Sequence, residues 1–465
     1  MTKILSLNAN STLLINNSHK MKSKYLITSL IGTWTTVTEL QYKKIQQNKL
    51  SKAFYEKLEK RLIIQTEKNK KLIQKLYSAR LNLIKLPPAL HIIVLTNNCN
   101  FACSYCQVSA KKPADKGSMN TETAKKTVDF ILATPSNRII IEFQGGEGLL
   151  NFKVLKHIVE YAQEKNLKLK KDLSFTLVTN FSLINNDNLK YILKNKIRLS
   201  TSIDGPKQVH DHNRKLLGGQ GTYDQIAPTI KLLNEKNMNI GLLNVITKYS
   251  LNFPKEIIDE YVGFKEKELY LKPLTYLGFA KEKWVEIGYT MDEFLEFWDK
   301  SLDYIFKLNK KGIIIRERMV KLALQKIIGP YDPGYTDWRS PCGFLLGQVA
   351  YDINGNIYGC DEARNFPELK LGEVGSNSFP EIINNPLSKQ FIEASMTENY
   401  LCDNCAYKPY CGLCPVVNYS QFKTPVSCLP NNDLCKFHKH IFDFVFNILI
   451  NKPAKRKLLL GWLKQ

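Results

Sequence analysis

Eight residues constrain this chain more than any others: Cys99-Asn100-Phe101-Ala102-Cys103-Ser104-Tyr105-Cys106. They follow directly on an apolar run, His91 to Thr96, with the length and composition of a buried strand. The cysteines therefore fall in the loop leaving the strand's C-terminal end, where parallel α/β folds place their sites. Three thiolates spaced four and three residues apart can wrap one small cluster. Four would close a 4Fe–4S cube, whereas three leave one iron open to another ligand. A structural zinc loop borrowing a fourth ligand is the alternative, and the strand context argues against it.

The remaining cysteines are not scattered. Of eleven, three lie between 99 and 106 and the other eight between 342 and 435. Met1 to Asn17 has no basic segment followed by a long apolar one, and no apolar run reaches about 18 residues. A cytoplasmic protein without a transmembrane segment is expected, its cysteines serving metal rather than disulfides. The net charge of +23, from 66 basic and 43 acidic residues, favours acidic partners. A lysine-biased proteome would give the same number. No stretch interleaves basic and aromatic residues, so nucleic acid is not expected as a partner.

From about residue 89 to 275, apolar strands alternate with helical stretches. The strands are His91–Thr96, Arg138–Phe143, Leu173–Thr179, Ile197–Ile203, Asn239–Ile246 and Glu268–Lys272. The alternation implies βαβ units and a parallel sheet, and six repeats fit an open barrel better than a closed eight-stranded one. Polar residues gather at the strand ends. After the second come Gly145 and Gly146, which allow close backbone approach, and Glu147, a carboxylate for an ammonium group. After the third come Thr179 and Asn180, and after the fourth the run Ser202-Ile203-Asp204-Gly205-Pro206 with His210-Asp211 and Arg214 behind it. Asp204 reads as a turn former.

The cysteine triplet with Tyr105 before its last member resembles the radical S-adenosylmethionine (SAM) superfamily, in which the open iron chelates SAM and its cleavage yields a 5′-deoxyadenosyl radical. The resemblance implies a partial (β/α)6 barrel in an α/β fold. It makes Gly145-Gly146-Glu147 the motif that receives the amino group of SAM, with Gly148 where a proline is usual. It also assigns Asn180, Ser202 and Arg214 to SAM, the last two to its ribose or carboxylate. Thr247, after strand five, is a candidate adenine contact through its backbone.

The C-terminal cysteines run Cys342, Cys360, Cys402, Cys405, Cys411, Cys414, Cys428 and Cys435, with a hairpin turned at Asn354-Gly355 between the first two. This resembles SPASM domains, which hold two auxiliary 4Fe–4S clusters, although the last gap has two residues rather than three. Eight thiolates match two four-ligand clusters; a pair of zinc knuckles is the alternative. By resemblance Cys342, Cys360 and Cys414 share the first cluster and Cys402, Cys405 and Cys411 the second. Cys428 and Cys435 complete the two in an open order. In SPASM sulfatase-maturing enzymes the aspartate at the position of Asp361 deprotonates the substrate. Here Glu362 follows it, so either is a candidate base, or both are polar hairpin-end groups.

The expected organisation is a small N-terminal α+β domain (1–86), the barrel with bridging helices (87–335), the SPASM domain (336–445) and a basic amphipathic tail (446–465). The N-terminal hairpin and two helices resemble a shortened leader-peptide recognition element, or else cap the barrel. The tail reads as a docked helix in preference to a membrane-surface one. Tyr276 to Ala280, Gly359 to Glu362 and Tyr410 to Tyr419 resemble the maturase of His-Xaa-Ser repeat systems (HxsB type). That resemblance implies modification of a precursor peptide, an electron donor such as flavodoxin or ferredoxin, and a second radical SAM maturase as partner. Two other readings stand beside it: a formylglycine-forming sulfatase maturase, and a non-catalytic iron–sulfur or zinc protein that binds a peptide.

Overall fold

The computed structural model describes residues 5–8, 11–81, 86–109, 117–329, 332–397, 402–403, 405–426 and 432–464. One nine-stranded sheet organises it. Six strands run parallel in chain order: β1 (Leu90–Val94), β2 (Arg138–Gln144), β3 (Asp172–Val178), β4 (Arg198–Ser202), β5 (Gly241–Ile246) and β6 (Leu271–Pro273). On the other edge of β1, β7 (Gln348–Tyr351) adds in parallel, and β8 (Asn356–Tyr358) and β9 (Gly372–Glu373) follow antiparallel. The open six-stranded barrel is thus the one expected, and the SPASM hairpin extends its sheet.

Strand β2 shows why the barrel holds. Ile139, Ile141 and Phe143 are fully buried, while the alternate residues Glu142 and Gln144 line the interior cavity. The helices Thr121–Ala133 and Phe152–Leu169 cover β1 to β3 with Val128, Ile131, Leu155, Ile158 and Val159. The Asn120 side chain caps the first of them by accepting from Thr123 N–H at 2.8 Å.

The sixth strand departs from expectation. It splits at Tyr270: Glu268–Leu269 pairs with Arg316–Glu317 in a separate small sheet, and only Leu271–Pro273 continues the barrel. In the N-terminal domain the hairpin Lys24–Ser29/Trp34–Val37 and the helices Glu39–Gln46 and Lys52–Lys60 form as read. Ile15–Met21 adds a third strand to that hairpin, and Leu5–Asn8, Ser11–Leu13 and Ile64–Thr66 make a second sheet. Ile15–Met21 is mostly polar and the other three strands are only three or four residues long, so their pairing reveals them. The domain has its own core of Leu13, Ile27, Val37, Ile45, Phe54, Leu58, Ile63 and Ile64, yet it seats on the SPASM region. Thr28 Oγ1 donates to the Ala406 carbonyl at 2.7 Å, and Tyr410 OH donates to the Gly32 carbonyl at 2.8 Å.

The tail is a docked helix, Pro453–Gly461. Trp462 is buried against Phe306 and donates its Nε1–H to Asn309 Oδ1 at 2.8 Å, so the apolar face is consumed by packing. Among the described residues no helix is long and apolar enough to cross a membrane.

Candidate active site

The cysteine loop leaves β1 and is tied down from several sides. Ala102 and Ser104 N–H donate to the carbonyls of Lys215 and Asn213 at 2.7 and 2.9 Å. Gly146 and Glu147 N–H donate to those of Thr96 and Asn98 at 2.7 and 2.8 Å. The glycines serve this close approach: a Cβ on Gly146 would lie 2.2 Å from the Asn98 carbonyl oxygen and 3.0 Å from the Cys99 Cβ. Gly278, at φ +53°, does the same from the segment after β6, where Phe279 N–H donates to the Cys106 carbonyl at 3.0 Å.

Cys99, Cys103 and Cys106 line a cavity of 230 Å³ together with Gly145, Gly146, Asn180, Ser202 and Arg214. Five of the seven residues expected at SAM therefore converge on the triplet. The other two do not. Glu147 is fully buried behind the cavity wall, where its carboxylate accepts from Leu149 N–H, Thr179 Oγ1 and Asn180 N–H at 3.0, 2.7 and 2.7 Å. It braces the strand ends, and the motif presents its glycine backbone to the cavity instead. The Thr247 hydroxyl is buried on Asn213 and Ser250 at 3.0 and 3.1 Å, and Leu243 and Val245 of the preceding strand line the cavity.

Asp204 does more than turn the chain. Its fully buried carboxylate accepts from Tyr105 OH at 2.5 Å and from Val245 N–H at 3.2 Å, and it lies 3.2 Å from Arg214 Nε. It thereby joins the cysteine loop, β5 and Arg214, whose Nη1 is 4.0 Å from Cys103 Sγ. The residue preceding a Gly-Pro turn carried no separate signal of this in sequence.

A second cavity of 520 Å³ lies between barrel and SPASM region and shares Gln107, Gln144, Ser202 and Lys272 with the first. Cys342, Cys360 and Cys414 open onto it, with Glu142, Asp337, Asp361 and Glu362. Sequence reading missed Glu142, Asp337 and Lys272; a carboxylate within the apolar run Ile139 to Phe143 was the available sign. Asp361 is not free: Arg364 holds Oδ1 through Nε at 3.0 Å and through Nη2. Glu362 faces Asp337, Asp361 and Lys272, and burial with these carboxylates pushes its carboxyl above the usual range.

The auxiliary cysteines fall into two groups. Cys342, Cys360 and Cys414 stand close enough for their thiolates to repel one another. Cys411 is similarly opposed by Cys402, Cys405 and Cys435, which places Cys435 with the second group. Cys428 lies outside the described residues. Burial pushes Cys99 up to about 11 and Cys103 and Cys342 up to about 12, so near neutral pH a bound cation would be needed to hold them as thiolates. Grouped cysteine thiols are the donors that a four-iron cube takes. Fit to clusters is thus met by donor type, burial and grouping.

Residues 93–260 match the radical SAM superfamily, and residues 342–406 match SPASM, an iron–sulfur cluster-binding domain. A cysteine-type anaerobic sulfatase-maturating enzyme of Clostridium perfringens is 25% identical over 382 residues, covering 79% of this chain and 98% of the relative. Native anSMEcpe with bound AdoMet and Cp18Cys peptide aligns with a TM-score of 0.68 at 21% identity, over 78% of this chain and 98% of that one. Streptococcus suis SuiB bound to precursor peptide SuiA gives 0.55 at 14% identity, over 91% and 99%. With these domains go 4Fe–4S clusters, one of them used with SAM and two in the SPASM part.

Proposed function

As a radical SAM enzyme with a SPASM domain, this chain is, we propose, a maturase that modifies a ribosomally made precursor peptide, of the His-Xaa-Ser system type. The observation that carries the reading is the run of open space from the Cys99/Cys103/Cys106 cavity to Cys342, Cys360 and Cys414 by way of Ser202 and Lys272. A peptide side chain held there lies between a site for hydrogen removal and a site for electron uptake. When bound, cluster and SAM supply a carbon-centred radical that removes a hydrogen atom from the substrate.

The chain's own residues do the rest. Cys99, Cys103 and Cys106 hold the cluster, and the Gly145–Gly146 backbone, Asn180, Ser202 and Arg214 bind and orient SAM. Asp204 fixes the direction of Arg214. Leu243, Val245 and Phe279 keep water from the first cavity. Glu362, with Asp361 occupied by Arg364, is placed to take the proton that leaves the substrate, and a cluster held by Cys342, Cys360 and Cys414 would supply an electron acceptor beside it. The N-terminal domain, with exposed Lys43, Lys44, Lys49, Lys52, Lys57 and Lys60, is where an acidic leader segment docks. A flavodoxin or ferredoxin supplies electrons, and a second radical SAM maturase acts alongside.

A second reading, formylglycine formation on a sulfatase, is favoured by the carboxylate that follows Cys360 and by the sulfatase-maturating relative. The experiment is anaerobic reconstitution with iron, sulfide and zinc counted, then dithionite, SAM and candidate peptides. About twelve irons, from three four-iron cubes, 5′-deoxyadenosine, and a mass change on a repeat-bearing peptide encoded beside this gene are expected. Conversion only of sulfatase cysteine or serine peptides would move the assignment to the second reading. Zinc in place of iron, or intact clusters without deoxyadenosine, would leave a non-catalytic binding protein. Within the enzyme, Glu362→Gln is expected to stop peptide modification while deoxyadenosine still forms, with Asp361→Asn milder.

A further inference from the structure

Arg339 stands three residues ahead of Cys342 and is 4% exposed. Its Nε and Nη2 are buried and lack a hydrogen-bond partner among the described residues. A desolvated cation without a partner is strongly unfavourable, so an anion belongs beside it. Asp332 is within electrostatic reach but is already paired with Lys326 Nζ at 2.6 Å. The other group on which the guanidinium bears is Cys342, whose thiolate it favours.

Packing fixes this position. A Cβ on Gly412, between Cys411 and Cys414, would lie 2.4 Å from the Arg339 carbonyl oxygen and 2.6 Å from its nitrogen. A Cβ on Gly347, in the loop that follows Cys342, would lie 3.5 Å from Arg339 Cζ. The backbone of Arg339 is thus packed against the turn between Cys411 and Cys414, and its guanidinium against the loop that follows Cys342. Asp337 and Glu362 face the Cys342 and Cys414 thiols from the cavity and act in the opposite sense.

We propose that Arg339 is a positioning residue that supplies the counter-charge of the first auxiliary cluster and raises its reduction potential. One-electron reduction of a cluster held by these thiolates would add one negative charge to it, and a fixed buried cation would stabilise that product more than the oxidised form. Electron uptake at the wall of the peptide cavity is thereby favoured. The inference rests on the reading that Cys342, Cys360 and Cys414 hold a 4Fe–4S cluster.

The test uses the full chain with Cys99, Cys103 and Cys106 changed to Ala, so that auxiliary signals stand alone. Iron is counted, and the reduced fraction is followed by electron paramagnetic resonance during titration with dithionite. In Arg339→Gln one of two auxiliary potentials is expected to fall by at least tenfold in the reduced-to-oxidised ratio, about 59 mV for a one-electron couple. The other stays, and Arg339→Lys restores the first. Loss of iron in Arg339→Gln with retention and an unmoved potential in Arg339→Lys also supports the assignment. Full iron with no shift in Arg339→Gln overturns it, as do equal shifts or equal iron loss in both variants, which would mark a packing role. Absence of iron from the parent protein would sink the cluster reading itself, and this inference with it.

Discussion

At the scale of single residues, Gly146 carries a sharp expectation. A methyl group there meets the Asn98 carbonyl oxygen at 2.2 Å and its carbon at 2.5 Å, both backbone atoms that cannot yield without moving the cysteine loop. Gly146→Ala should therefore lose the cluster of the Cys99 triplet and its deoxyadenosine while keeping about eight auxiliary irons, as iron analysis and chromatography would read. Full iron with normal SAM cleavage would contradict the close approach. The triplet and the glycine pair were legible because their spacing is local. The inward turn of Glu147 and Thr247 was not, because a carboxylate or hydroxyl at a strand end can face either way until its neighbours are placed. Asp204 was read only as a turn former because its partners Tyr105 and Val245 lie 99 and 41 residues away.

At the scale of elements, Glu317 caps the helix Arg318–Ile328 by accepting from Val320 N–H at 2.8 Å. Burial pushes its carboxyl from 4.5 up to about 7. Between those values the folded chain holds a proton that the unfolded chain has released. Stability therefore declines as pH rises from about 4.5 to about 7 and stays lowered above. Glu317→Gln should flatten that decline; unfolding midpoints at about pH 5.5 and about pH 8 would show a smaller drop than in the unaltered protein. An unchanged drop would place the titration elsewhere. Long helices such as Met291–Lys310 were readable from periodicity because one face meets the core at every turn. The break at Tyr270 was not, because both halves are apolar enough for one strand and only separate pairing partners divide them.

At the scale of the whole molecule, the boundary drawn near residue 335 is not a boundary in the sheet. β7 pairs with β1 from Gln348↔Leu90 to Tyr351↔Ile93. A chain ending at residue 335 would leave the edge of the strand that launches the cysteine triplet without its partner. It is expected to aggregate and to hold no SAM-binding cluster, which solubility and iron content would check; a soluble fragment that cleaves SAM would show instead that the barrel stands alone. By itself the sequence determined the chemistry available here: eleven thiols in two clusters, a strand-end glycine pair, and the alternation of an open parallel barrel. Those are properties of neighbours along the chain, set by ligand spacing and by the period of apolar residues. The tertiary structure alone decided that Glu147 looks inward, that Cys435 stands with Cys402, Cys405 and Cys411, and that the two cavities share Ser202 and Lys272. These are meetings of residues far apart in sequence, and their positions follow from the order in which strands pair and from the loops that the glycines allow to touch.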